Sequence, residues 1–328
     1  MLQFIVKRVL ILIPLLLLFS VVCFIIIQLP PGDYLTTYIN NLISQGADIT
    51  EEVVDALEVR YGMNEPMVVQ YFKWFGRVLQ GDLGYSFMWN RSVNVLIAER
   101  LGYTIGLSLI SVILIWVVSF PLGFYSATHQ YSSLDYLFTS ISFFGLSIPQ
   151  FLLALIIMWI YFITTGKFGG GMYSDQFANL PMSWAKLADL LNHMWMPFLV
   201  IVISGTAGLF KTFRANLLDE LSKPYVLTAR AKGVPYLRLL IKYPTRIALI
   251  PFISTIGWML PGLISGQTII SIIMNLPTVG PLLLSALKNQ DMFLAGSIVL
   301  ILGGLTMIGT MLSDILLAIT DPRTRNAL

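Results

Sequence analysis

Residues 247–287 read IALIPFISTIGWMLPGLISGQTIISIIMNLPTVGPLLLSAL, a run of 41 positions without Asp, Glu, Lys or Arg. As one straight α-helix it would extend about 60 Å at 1.5 Å per residue, roughly twice the hydrocarbon thickness of a bilayer. Pro261-Gly262, Gly266, Pro277 and Gly280-Pro281 punctuate it, and such residues break or kink helices. Two readings follow: one crossing over 247–270 with an apolar re-entrant or interfacial segment after it, or two short crossings. The choice decides the fold, because it sets the number of crossings after the most basic loop of the chain.

Five further uncharged runs flank this one: Val9–Gly32, Leu101–Thr128, Tyr136–Gly166, Leu190–Phe210 and Met292–Ser313. Each is long enough for one spanning helix of about 20 residues. Across the 328 residues, 56% are hydrophobic and 11% charged, against about 25% charged in a soluble domain. The mean hydropathy is +0.79. So few charges cannot cover the surface of a soluble chain of this size. An ordinary cytosolic enzyme, a disordered chain and a nucleic-acid binder are excluded. The net charge of +3 implies no polyanionic partner.

Positive charge marks the cytoplasmic side of a membrane protein. Lys7 and Arg8 precede the first run and place the N-terminus inside. Residues 33–100 then lie outside, and they carry nine acids and five bases. Residues 211–246 carry eight bases (Lys211, Arg214, Lys223, Arg230, Lys232, Arg238, Lys242, Arg246) and two acids, a strongly cytoplasmic composition. Arg323 and Arg325 put the tail inside as well. An inside loop and an inside tail require an even number of crossings between them, so 247–287 is read as a single span. The expectation is an all-α integral membrane protein with six transmembrane helices and both termini cytoplasmic. A secretory signal is disfavoured at the N-terminus: the apolar run exceeds 20 residues, and no small-x-small site precedes Gln28-Leu29-Pro30-Pro31.

Three pieces follow from this map: 1–30, the N-terminal end and first span; 31–101, an external loop domain; and 102–328, a five-helix core with a cytoplasmic loop at 215–246. In the external piece, Thr50 can cap an acidic first turn at Glu51-Glu52 of a short helix running to Arg60, with Gly62 as its stop. Val68–Leu79 carries an apolar and aromatic face that predicts a second helix. Residues 167–189, with Gly169-Gly170-Gly171, form a smaller external loop.

Catalytic chemistry is not legible. Gly166-Lys167 is followed by Phe168 without the upstream glycine of a phosphate-cradling loop, and no Ser/His/Asp set has a local motif. The lone Cys23 lies in an apolar run, a small core or lipid-facing residue. His129 and His193 are 64 residues apart, without acidic or cysteine neighbours read at ligand spacing, so no metal site is expected. No catalytic residue and no cofactor is assigned to this chain. Ion-coupled carriers keep charges at membrane depth; here Asp314 is the one candidate, and it sits near a helix end. If the chain pumps a solute, the energy comes from another subunit. The basic loop is where such a subunit would dock. Tyr225–Lys232 reads as a short basic helix with Pro224 in its first turn and Gly233 at its end, and the small Ala229 and Ala231 permit close approach of a partner.

At this loop the chain resembles a known family. Tyr225-Val-Leu-Thr-Ala-Arg-Ala-Lys-Gly233 is similar to the cytoplasmic EAA loop of the permease subunits of dipeptide/oligopeptide/nickel-type ABC importers. The likeness runs through the chain in order: Lys7-Arg8 with Pro31-Gly32-Asp33, Tyr61-Gly-Met-Asn-Glu-Pro-Met-Val-Val-Gln-Tyr71, Gly81-Asp-Leu-Gly-Tyr-Ser86, Gly145-Leu-Ser-Ile-Pro-Gln-Phe151 and Asp321-Pro-Arg-Thr-Arg325. There are departures. Leu227 stands where the broad consensus has Glu. Leu276-Pro-Thr-Val-Gly280 replaces a Pro-Gly-Leu-Gly type of segment. Gly266-Gln-Thr-Ile-Ile270 lacks a following acid.

The resemblance implies a type I ABC importer permease fold, a MetI-like core behind an N-terminal helix and external loop. It implies a prokaryotic inner-membrane complex with a homologous second permease, two ABC ATPase subunits that bind ATP and Mg, and an external solute-binding protein. The docking residues it implies are Tyr225, Thr228, Ala229, Arg230, Ala231, Lys232, Gly233 and Val234. Gln150, Met259, Gln267 and Asn275 are the candidate pathway residues, with helix packing as their alternative role. The expected cargo is peptide, with oligosaccharides or nickel chelates as alternatives within the class. An ion-coupled secondary carrier and a membrane scaffold are the rivals outside it.

Overall fold

The computed structural model describes residues 2–28, 65–86, 88–178, 180–254 and 267–320. The expected helix at 51–60, Met259 and the tail arginines lie outside these residues. The regular structure of the described residues is helical apart from a small hairpin, β1 (Tyr85–Ser86) against β2 (Arg91–Ser92), antiparallel. The helices are α1 (Leu2–Gln28), α2 (Met67–Leu79), α3 (Val93–Thr128), α4 (Ser133–Ser147), α5 (Gln150–Thr165), α6 (Trp184–Leu221), α7 (Pro224–Ala231), α8 (Tyr236–Lys242), α9 (Pro244–Ser254), α10 (Val279–Lys288) and α11 (Met292–Thr320). A further helical run covers 267–273.

Four helices, α1, α3, α6 and α11, are long and apolar enough to cross a membrane, and α4 with α5 make a fifth candidate as a bent pair. The six expected spans are therefore not all seen as single helices. The third run, Tyr136–Gly166, is two helices at 105°. The cause lies in Ile148-Pro149. A residue before proline is pushed out of the α region, and Ile148 is extended at φ −88°, ψ 122°. Pro149, at φ −56°, ψ 135°, then opens α5. The segment Gly145–Phe151 is thus a programmed corner. On 247–287, α9 ends at Ser254 and the described chain resumes at 267.

The uncharged runs mark the helices but understate their length. α3 starts eight residues before Leu101, and α6 runs 38 residues around Leu190–Phe210. Lys7 and Arg8 lie within α1. Charged residues continue a helix beyond the bilayer because their backbone is as helix-competent as that of the apolar run.

Two compact units are present. One comprises Met1–Val6, Tyr103–Gly280 and Ile308–Leu328. Its core is built on α6, which packs against α9, α4 and α5. Phe213 and Phe252 are fully buried with ring centroids 5.3 Å apart, and Trp116 meets Phe252 at 4.6 Å. Around them lie Ile115, Val200, Ile201, Leu217 and Met274. α5, by contrast, exposes Phe151, Leu155, Trp159, Phe162 and Ile163, as a helix bathed in lipid does.

Gly145 sets the contact between α4 and α6: a Cβ there would lie 2.7 Å from the carbonyl oxygen of Ile203. Because that neighbour is backbone, it cannot swing aside. Gly145→Leu is expected to cost about 1–3 kcal/mol by overpacking, read as a lower melting temperature of the purified chain. Gly145→Ala should fall between it and the parent.

The other unit comprises Lys7–Gly102 and Pro281–Met307. Cys23, Phe24 and Ile27 of α1 bury against Trp74 of α2 and Met292 of α11. The stretch Gly81–Ser86 folds as a knot. Asn94 accepts from the Leu83 amide at 3.0 Å, Ser297 donates to the Leu83 carbonyl at 3.2 Å, and the Ser86 hydroxyl bonds the Asp291 carboxylate. Asp291 also accepts from the Leu294 amide at 3.3 Å, capping α11. Burial pushes its carboxyl above the usual carboxylate range, opposed by those hydrogen bonds.

Candidate coupling site

The basic loop folds as two short helices hung from the end of α6. α6 stops at Leu221, and Lys223 is extended at φ −69°, ψ 146°. Pro224 occupies the first turn of α7, where a missing N–H costs nothing. α7 ends at Ala231, and Gly233 takes φ +76°. A left-handed residue after the C-cap lets the chain fold back under the helix, and the Gly233 amide bonds the Arg230 carbonyl at 3.0 Å. Pro235 then opens α8.

Val226 and Ala229 of α7 bury against Leu239 and Leu240 of α8, with Phe124, Leu221, Tyr225, Val234 and Tyr243 around them. This corrects one sequence expectation. Ala229 is small because α7 must approach its own support closely; it is not part of the open surface. Thr228, Arg230, Ala231, Lys232 and Gly233 are exposed, while Tyr225 and Val234 are half-buried. Sequence reading missed Leu227, Tyr236, Leu237 and Ile241, which are large, apolar and exposed beside the basic residues. A helical period over 225–241 would have found them, but the turn at Gly233 resets the phase. The result is a face of apolar side chains studded with Arg230, Lys232 and Arg238, suited to an interface core.

Two polar links fasten this face. The Tyr225 hydroxyl donates to Glu220 at the end of α6. Burial, and then that hydrogen bond, pushes the Tyr225 phenol well above its ordinary value. A phenol raised on folding adds stability that is fully present below its unfolded value of about 10 and is lost as pH climbs through the folded value. Tyr225→Phe is expected to cost about 1 kcal/mol near neutral pH. It should also reduce the loss of stability expected of the parent chain above pH ~10 in a pH-resolved melting series.

The second link is the ion pair of Arg214 in α6 with Asp135 in α4. Nε and one Nη donate to the two carboxylate oxygens at 2.8 Å each. Asp135 is 2% exposed and Arg214 23%. Asp135 also accepts from the Tyr131 amide at 3.0 Å, and Ser132 caps α4 by accepting from the Asp135 amide at 3.2 Å. Bidentate Arg–carboxylate geometry fixes orientation as well as distance. Arg214 precedes Leu221 by seven residues, about 10 Å along the helix, so the pair clamps α4 to α6 close above α7.

At the other end of α6 the loop after α5 is tied down. Ser174 bonds both oxygens of Asp189 at 2.7 and 2.8 Å. Buried Lys186 donates to the Leu180 carbonyl at 2.6 Å and sits 4.6 Å from the Tyr173 ring. The Gly171 amide bonds the Met274 carbonyl at 2.7 Å. His193 does have an acidic neighbour, contrary to the sequence reading. Asp189, one turn earlier, brings its carboxylate within 3.6 Å of Nδ1, because residues four apart share a helix face. Among the described residues, no group of three His, Cys, Asp or Glu side chains is placed to hold a metal ion.

The candidate pathway residues among the described ones, Gln150, Gln267 and Asn275, sit on different segments. Gln150 is the first residue of α5, half-buried at the corner. Gln267 is buried and accepts from Ser108 of α3 at 3.0 Å, while its Nε2 has no partner among the described residues. Asn275 is exposed in a turn at φ +51°.

Comparison with known proteins agrees with this architecture. Residues 119–326 match the binding-protein-dependent transport system inner membrane component family. Residues 1–108 match the N-terminal family of such membrane components. The oligopeptide transport system permease protein AppB of Bacillus subtilis is 36% identical over 324 residues, covering 98% of this chain and 99% of that protein. A putative peptide permease protein of Brucella suis is 33% identical over 328 residues, covering 99% of each. The oligopeptide transport system permease protein OppB of Haemophilus influenzae is 31% identical over 326 residues, covering 99% of this chain and 100% of that protein. A multi-pass helical chain matched from end to end in this way belongs to the binding-protein-dependent transport system inner membrane component family, as an ABC transporter permease for peptide transport.

Proposed function

We propose that this chain is one of two homologous permease subunits of an ATP-driven importer, and that α7 and α8 form its docking face for an ATPase subunit. The observation that carries the reading is the exposed apolar and basic face on 227–241, held by Val226, Ala229, Leu239 and Leu240 and tied to α6 by Tyr225, with Arg214–Asp135 clamping α4 to α6 above it. A rigid mount is what a coupling element needs, since displacement of α7 then moves α4 and α6 together. Six crossings with both termini cytoplasmic put this face inside, and the charge map supports that arrangement. An external solute-binding protein delivers cargo to the opposite side. Oligopeptide is the cargo the names of the relatives favour, ahead of oligosaccharides and nickel chelates. ATP drives transport to the extent that the ATP-bound complex prefers the outward-facing arrangement. Gln150, Met259, Gln267 and Asn275 remain the candidate pathway residues; among the described residues the Nε2 of Gln267 has no partner.

Cysteines placed singly at Arg230 and Leu237 in the assembled complex should cross-link to the ATPase subunit, with yields that change when ATP is added. A cysteine at the buried Val226 should not. Absence of cross-links from both exposed positions contradicts the docking assignment.

A further inference from the structure

The second unit holds a helix whose apolar surface is larger than its protein contacts require. On α2, the face made by Tyr71, Trp74, Phe75 and Val78 packs into the cluster with Phe24 and Ile27 of α1. The next face around the helix carries Val68, Phe72 and Leu79, which are 65%, 65% and 72% exposed. Their spacing of four and seven residues aligns them along one stripe. Gln70, Lys73 and Arg77 occupy the remaining arc. A soluble helix hides one stripe and hydrates the rest; α2 hides one and exposes another.

The level of α2 along α1 indicates what covers the exposed stripe. The Tyr71 hydroxyl bonds Ser20 at 2.9 Å, the Tyr71 ring meets Phe24 edge-on at 5.5 Å and the Trp74 ring lies tilted 5.6 Å from Phe24, and Gln70 bonds Gln28 at 2.8 Å. These partners are the last turns of α1, about 12 Å of helix at 1.5 Å per residue. α1 itself exposes Leu10, Leu18 and Ile25, as a lipid-facing span does, and the helix ends at Gln28. An amphipathic helix in the membrane interface buries its apolar face about 5–10 Å into the headgroup–acyl boundary and keeps its basic residues among the headgroups. The exposed stripe of α2 belongs to a helix held against the last turns of α1, while Lys73, paired with Glu65 at 2.7 Å, and Arg77 lie off the stripe.

We infer that α2 is an interfacial helix whose Val68, Phe72 and Leu79 insert into the lipid boundary on the side where α1 ends, fastening the external segment to the bilayer surface. The inference depends on α1 spanning the membrane and not on the docking role of α7 or on the cargo.

The test places single cysteines at 68, 72, 73, 77 and 79 in the full complex, with Cys23→Ala as background, reconstituted in phosphatidylcholine/phosphatidylglycerol nanodiscs. Each is labelled with a nitroxide and exposed to oxygen and to a water-soluble nickel chelate. Positions 68, 72 and 79 should show an oxygen-to-nickel accessibility ratio severalfold above that at 73 and 77. A benzophenone at position 72 should give lipid adducts. A stripe as accessible to nickel as Lys73 overturns the inference in favour of a hydrated surface. A stripe shielded from both reagents, with protein adducts at 72, overturns it in favour of a covering by another part of this chain, the second permease or the binding protein.

Discussion

Asp135→Ala is expected to destabilise the folded chain by about 3–5 kcal/mol, because it strands a partly buried guanidinium without its carboxylate partner. Arg214 lies within the core helix α6, and its charge-assisted bonds go to the two oxygens of one carboxylate. The stranded charge cannot be neutralised by proton loss, since arginine stays protonated. The variant chain should fail to accumulate in the complex, measured as its yield after affinity purification through the ATPase subunit. Asp135→Ala combined with Arg214→Leu removes the stranded charge and should recover most of the yield, since replacing a buried pair by apolar residues is often near neutral. The recovered complex should still import poorly. Its stability no longer needs the pair, but α4 is no longer held to α6 above α7. If the double variant imports at the parent rate, the clamp is structural and does not transmit motion.

Gly233→Trp is expected to lower ATP-driven uptake by about tenfold or more, equivalent to 1.4 kcal/mol or more of lost coupling, while the complex still assembles and hydrolyses ATP. Two costs combine here. The backbone sits at φ +76°, which disfavours a residue with a Cβ by about 1–2 kcal/mol. The position is also open: an added Cβ would meet nothing within 4 Å, so the indole projects from the proposed docking face. Gly233→Asn separates the two, because asparagine tolerates the left-handed region and adds little bulk. It should retain most uptake. Uptake per ATP hydrolysed in proteoliposomes reads both variants; equal coupling in the tryptophan variant and the parent would remove Gly233 from the interface.

Much of this architecture was legible because charge is the strongest signal in a membrane chain. Runs free of Asp, Glu, Lys and Arg located α1, α3, α6 and α11, and Pro224 and Gly233 bracketed α7 almost to the residue. What escaped depended on partners distant in sequence. The corner at Ile148-Pro149 falls inside one uninterrupted apolar run, where composition does not distinguish a bent pair from a span. The orientation of Ala229 is set by Leu239 and Leu240 across a turn. Arg214 reads as one more base of the loop 211–246, and its partner Asp135 lies 79 residues away on α4. Sequence alone marks a helix-packing glutamine and a cargo contact in the same way, and among the described residues the Nε2 of Gln267 has no partner.

The central claim is that this chain moves peptide only as part of a binding-protein-dependent, ATP-driven complex. Proteoliposomes containing this chain, its second permease and the ATPase subunits, supplied with the external binding protein and a labelled oligopeptide, test it most directly. The account predicts uptake that requires both ATP inside and binding protein outside, and that disappears when either is withheld. Uptake by this chain alone, driven by an ion gradient without ATP, would contradict it.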